Sequence, residues 1–98
     1  MTAFEGTWKD RSVRLSGKLL LPERSQSFRM HSPDGFSWGY GGSGPAQLAL
    51  AVMLEICPDE ESAMRSYQDF KWEVIVNLPM EEDFSTDIDP KKWCSGVH

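Results

Sequence analysis

Between Ala46 and Leu54 the only polar residue is Gln47, so a helix through this stretch is apolar on nearly every side and needs cover on nearly every side. That requirement dominates what the chain can become. Pro45 suits the first helical position, where its missing amide is not needed, and Ser43 or Gly44 can cap the helix. Cys57-Pro58-Asp59 breaks it. The spacing therefore predicts a central buried helix over about residues 44–56, and 98 residues suffice for one core around it.

The rest of the chain has to wrap that helix. Residues 7–9, 12–15 and 18–21 are short runs with β-branched, aromatic or leucine residues, and Asp10-Arg11 and Ser16-Gly17 separate them as turns, which predicts a meander. Residues 27–31 and 36–40 flank Ser-Pro-Asp-Gly, a tight-turn string, and so read as a hairpin. Its second strand would set Phe36, Trp38 and Tyr40 on one face, over the helix. A second helix begins with Asp59 as cap and Glu60 and Glu61 at the positive end of its dipole. Ala63, Tyr67, Phe70, Val74 and Leu78 form its inward stripe until Pro79 stops it. Asp89-Pro90 opens a last short turn carrying Trp93, which Gly96 can end. The fold class is α+β, one domain over 1–98: a small antiparallel sheet or meander in the N-terminal half packs on two main helices (about 44–56 and 59–77) and a short C-terminal helix.

Two cysteines, Cys57 and Cys94, with no CxxC pair and no Cys/His cluster, give neither a disulfide framework nor a zinc site, and a reducing cytosol fits that usage. The N-terminus lacks the basic start and apolar run of a signal peptide. The longest strongly apolar run, residues 48–54, falls far short of the ~20 residues of a membrane helix.

The most distinctive string is Gly39-Tyr-Gly-Gly-Ser-Gly-Pro. A glycine loop before a helix can aim backbone amides at an anion, which makes Gly41, Gly42, Ser43 and Gly44 a possible ligand loop. It lacks the lysine of a P-loop and the spacing of GxGxxG, so the preferred reading is a tight bend where small residues permit close approach. Catalysis has no constellation to rest on. His31 lies at a turn and His98 at the terminus, Ser43 suits capping rather than a nucleophile elbow, and Cys57 suits a small buried hydrophobe. The reading is a non-enzyme with no cofactor and no metal.

Charge is unevenly spread along the chain. Up to Leu54 six basic residues face four acidic ones, whereas from Glu55 onward four face eleven, within a net charge of −5, which predicts an electrically bipolar molecule. Asp59, Glu60, Glu61, Glu81, Glu82, Asp83, Asp87 and Asp89 are the candidate acidic docking surface, the last five in what reads as a linker interleaved with Phe84 and Ile88. Metal binding there is unsupported by the spacing. The basic excess of the first half, with Trp8 and Phe28 nearby, is too small for nucleic-acid binding. Trp72 and Val76, half a turn off the core stripe, either bury within the monomer, the favoured reading, or mark a partner site.

The string Ser-Pro-Asp-Gly-Phe-Ser-Trp-Gly-Tyr-Gly-Gly-Ser-Gly-Pro-Ala-Gln-Leu-Ala-Leu, with Tyr67-Gln-Asp-Phe-Lys and Val74-Ile-Val-Asn-Leu-Pro, resembles a family of small bacterial, plasmid or phage proteins of unknown function. The resemblance covers roughly residues 28–79 and implies a cytosolic prokaryotic or mobile-element protein, with no catalytic residues to carry over. The functional expectation is a non-catalytic protein-binding module, in its narrower form an inhibitor of a host nucleic-acid-processing or defence complex acting through acidic residues. The alternative is a small-ligand, nucleotide or anion-binding domain that uses the glycine loop.

Overall fold

The structure, a computed structural model, describes residues 1–94. Gly96 and His98 lie outside the described residues. The elements in chain order are β1 (Thr2–Thr7), β2 (Ser12–Leu15), β3 (Lys18–Leu20), α1 (Glu23–Phe28), α2 (Ser43–Ile56), α3 (Glu60–Phe70), a π-helical turn (Lys71–Ile75), β4 (Phe84–Ile88) and α4 (Pro90–Cys94). The strands form one antiparallel sheet in the order β3-β2-β1-β4. The architecture is the α+β arrangement read from the sequence.

Every residue of α2 from Gly44 to Leu54 is buried, as its all-round apolarity requires. The sheet covers it with one face only, since alternation sends Phe4, Val13, Leu15, Leu20, Phe84 and Ile88 inward. Six aromatic rings then run through the core in contact from one to the next: Trp8, Trp38, Phe84, Phe4, Phe70 and Trp93, with centroids 4.7–6.2 Å apart. This chain joins the β1–β2 turn, the 36–40 segment, β4, β1, α3 and α4. Gly6 is glycine because the Phe84 ring crosses β1 there, 2.2 Å from where a Cβ would stand.

Gln47 is fully buried and uses both ends of its side-chain amide. Its Oε1 accepts from the backbone amides of His31 (2.8 Å) and Ser32 (3.0 Å), while its Nε2 donates to Ser25 Oγ (2.8 Å) and to the Arg29 carbonyl (3.1 Å). The helix thereby sets the path of residues 25–32. This overturns the hairpin read over 27–31 and 36–40: the first segment continues from α1 and bonds to Gln47, and Gly39 donates to Ile75 O (2.9 Å). Only the tight turn at Ser32–Gly35 remains of it. Phe36 and Trp38 are buried as expected, but Tyr40 is exposed.

Other boundaries shift for local reasons. The first strand is Thr2–Thr7 rather than 7–9, because Trp8 to Arg11 are taken up by the turn, where Arg11 has φ +58°. The cap of α2 is Gly42, with no side-chain cap bond, so neither Ser43 nor Gly44 fills that role. The second helix is not uniform to 77; α3 ends at Phe70 and passes into the π-turn. The acidic stretch read as a linker contains β4, paired with β1 along its whole length. The two sequence halves therefore share one sheet.

Cys57 and Cys94 are joined by a disulfide, with Cα atoms 5.2 Å apart and 37 residues between them in sequence. Two cysteines with no local motif gave no sign of this, since pairing depends on where α4 packs. The bond also removes the unpaired-thiol argument for a reducing compartment.

Two measurements follow from these constraints. Gln47→Leu keeps α2 apolar but strands two backbone amides, and it should lower unfolding free energy by about 2–4 kcal/mol in urea titration. Reduction of the disulfide should cost about 2–4 kcal/mol by the same measurement, with α4 losing amide protection first.

Candidate functional site

Residues 39–44 lead the chain from the 36–40 segment into α2, and three of their glycines each admit a large neighbour. A Cβ on Gly39 would stand 2.7 Å from Met80 Cα, and its φ of +86° belongs to glycine. One on Gly41 would stand 2.8 Å from the Trp72 ring, and one on Gly42 would stand 2.3 Å from the Tyr40 ring. Gly44 makes a fourth close approach, to Ser37 within the molecule.

The neighbours so admitted are all exposed: Tyr40 43%, Trp72 56% and Met80 58%. A loop with side chains would hold these groups away from the backbone, whereas this one lets them lie against it. The π-turn contributes the phase. With i→i+5 bonding it turns Lys71 and Ile75 inward and leaves Trp72 outward. Trp72 is thus not buried, as its large apolar ring suggested; its offset from the core stripe was the informative signal. Tyr40 and Met80 were missed, although each neighbours a glycine whose role depends on it.

Glu73, Glu81 and Glu82 are exposed and adjoin Trp72 and Met80 along the chain. The turn that carries Glu81 and Glu82 is pinned from inside: Trp38 Nε1 donates to Glu82 O (2.9 Å), and Asp83 Oδ1 accepts from the Trp8 amide (2.7 Å). Asp59 instead caps α3, accepting from the Ser62 amide (2.7 Å), and that bond holds its carboxyl below the ordinary carboxylate range. Glu60 and Glu61 occupy the same first turn, with Glu61 paired to Arg65 at 3.1 Å. About 20 Å of helix separates this group from Glu81–Asp83. Asp87 is exposed on β4, and Asp89 accepts from the Lys91 amide (3.0 Å). Asp59, Asp83 and Asp89 thus each accept from a backbone amide and organise the chain locally.

His31 is held by Tyr67, its Nε2 lying 3.0 Å from Tyr67 Oη. Burial lowers its pKa below the ordinary 6.5, and the charges of Arg29 and Lys71 lower it further. Among the described residues no set of three or more His, Cys, Asp or Glu side chains is placed to hold a metal ion, and no helix is long and apolar enough to cross a membrane.

Fold and loop together define a small α+β domain that displays an apolar patch on a glycine-rich turn. The chain matches the model of a family of unknown function (DUF6166) over residues 5–96 and belongs to that family. No curated protein and no solved structure matches it.

The glycines differ in what they tolerate. Gly39→Ala meets both a positive φ and the Met80 backbone, so it should destabilise by about 2 kcal/mol or more. Gly42→Ala meets only an exposed ring that can swing aside. Its unfolding midpoint should stay close to that of the parent while Tyr40 ring resonances shift, as thermal denaturation and NMR would show.

Proposed function

We propose that the protein is a non-catalytic protein-binding module whose contact surface is the Tyr40–Trp72–Met80 patch with Glu73, Glu81 and Glu82 at its rim. The observation that carries the reading is that three large side chains of the types that anchor interfaces lie exposed around one loop. The acidic rim favours a partner that offers an apolar recess bordered by lysine or arginine.

An inhibitor of a nucleic-acid-processing or defence complex in a bacterium or mobile element is the narrower form of this reading. In that form Glu81 and Glu82 would meet the partner's basic groove. Asp59, Glu60 and Glu61, at the far end of α3, would stay outside the contact. The reading includes a cytoplasmic location, where the Cys57–Cys94 bond would be open to reduction.

Affinity capture with wild-type and variant chains tests it. A partner recovered by the wild type should be lost with Trp72→Ala and weakened with Glu81→Lys/Glu82→Lys, yet retained with Glu60→Lys/Glu61→Lys. Recovery unchanged by Trp72→Ala, in a variant with native circular dichroism, would refute the surface named here.

A further inference from the structure

The two edges of the sheet are not equally protected. β3 is three residues long, opens on Lys18 and runs through Leu21 into Pro22, features that discourage a further strand. β4 is five residues long, pairs with β1 at five consecutive positions without a bulge, and contains neither proline nor lysine. Among the described residues no strand lies on its far side.

The direction of its backbone groups follows from one bond. The Ala3 carbonyl accepts from the Ser16 amide (2.9 Å), just past the end of β2, so Ala3 faces β2. Successive residues of a strand send these groups to opposite sides, so Thr2, Phe4 and Gly6 face β4. Their partners Ile88, Thr86 and Phe84 bond to β1, which leaves the N–H and C=O of Ser85 and Asp87 directed at the open edge. Both residues are exposed.

Thr86 marks a second gap. It shares the inward face with Phe84 and Ile88, both buried, and stands opposite buried Phe4, yet it is exposed. The cover of the core is therefore open at the middle of β4. A groove of about 370 Å³ lies there, lined by Thr86 together with Val74 and Leu78, which are only partly buried.

Charge along this edge is mostly of one sign. From Glu81 to Asp89 the chain has five carboxylates and no base, and Glu73 lines the groove from the π-turn. Lys92 and Met1 line it as well, and the Thr2–Ile88 pairing places Met1 at the Asp89 end, so the acidic stretch is the rest of the edge. A second β4 is a poor occupant, since pairing this edge with itself would bring Asp87 and its acidic neighbours onto their own copies.

We propose that the β4 edge is a docking site for an extended peptide of alternating basic and apolar residues, added to the sheet as a fifth strand. Its backbone pairs with Ser85 and Asp87. The side chain that falls beside Thr86 is apolar and enters the groove against Val74 and Leu78. Its neighbours in the peptide lie on the outer face with Asp87 and are lysine or arginine. The site does not rest on the Tyr40–Trp72–Met80 reading, because none of those three residues lines the groove.

The test is an amide NMR titration of the ¹⁵N-labelled full chain with three end-blocked synthetic peptides: Lys-Val-Lys-Val-Lys, Glu-Val-Glu-Val-Glu, and the first with every backbone amide methylated. The first should shift Ser85, Thr86 and Asp87 saturably and slow hydrogen exchange at Ser85 and Asp87, and neither of the others should. Asp87→Lys should weaken binding about fivefold or more, the value of one cross-strand charge pair. Ser85→Pro removes an edge donor while leaving the β1 ladder intact, so it should abolish the shifts. Thr86→Lys, which obstructs the groove mouth, should do the same. Trp72→Ala should bind the peptide as the wild type does, so the edge and the Trp72 patch fail separately. The proposal falls if the first peptide gives no saturable shift, if either control binds as well, if Asp87→Lys binds as tightly, or if Trp72→Ala abolishes binding. It falls equally if whichever of Ser85→Pro and Thr86→Lys keeps native circular dichroism binds like the wild type, or if the edge amides shift with protein concentration alone, the sign of a second copy there.

Discussion

A single carboxamide inside an otherwise apolar helix determines how this molecule is assembled. Gln47 cannot be buried unless its two donor hydrogens and its acceptor oxygen are matched, and residues 25–32 supply the matching groups. That exchange binds a non-regular segment to the core as firmly as a strand ladder would. It also fixes His31 between Gln47 and Tyr67, and so sets the level at which the two long helices face each other. With α2 in place, the sheet needs only one apolar face, and the aromatic chain from Trp8 to Trp93 fills the space between.

The glycine loop acts through what it lacks. Absent Cβ atoms at Gly39, Gly41 and Gly42 let Met80, Trp72 and Tyr40 lie against the backbone while staying exposed. Packing and binding are thus not competing accounts of this loop. Close approach is what makes a display surface from three segments far apart in sequence, and a π-turn adds the phase that faces Trp72 outward and Lys71 inward.

Charge follows a similar logic. The helical run from Glu60 to Ile75 lies between Asp59, Glu60 and Glu61 and the turn that carries Glu81–Asp83. Asp59, Asp83 and Asp89 spend their oxygens on backbone amides, which leaves Glu73, Glu81 and Glu82 beside the apolar patch.

By itself the sequence determined the buried helix, its breaker, the cap at Asp59, the β2 and β3 strands and the C-terminal turn with Trp93. In each, the deciding interaction lies within a few residues along the chain: apolar run length, proline geometry, a carboxylate three residues before an amide. Only the tertiary structure decided the rest. Ser-Pro-Asp-Gly between aromatic runs has the local form of a hairpin, and a glutamine some fifteen residues away overrode it by offering better-placed partners. An acidic stretch became β4 because β1 had a free edge, and Cys57 met Cys94 because α4 docks beside the end of α2. Trp72 reached the surface through helix phase. Such contacts depend on three-dimensional proximity, which spacing along the chain does not encode.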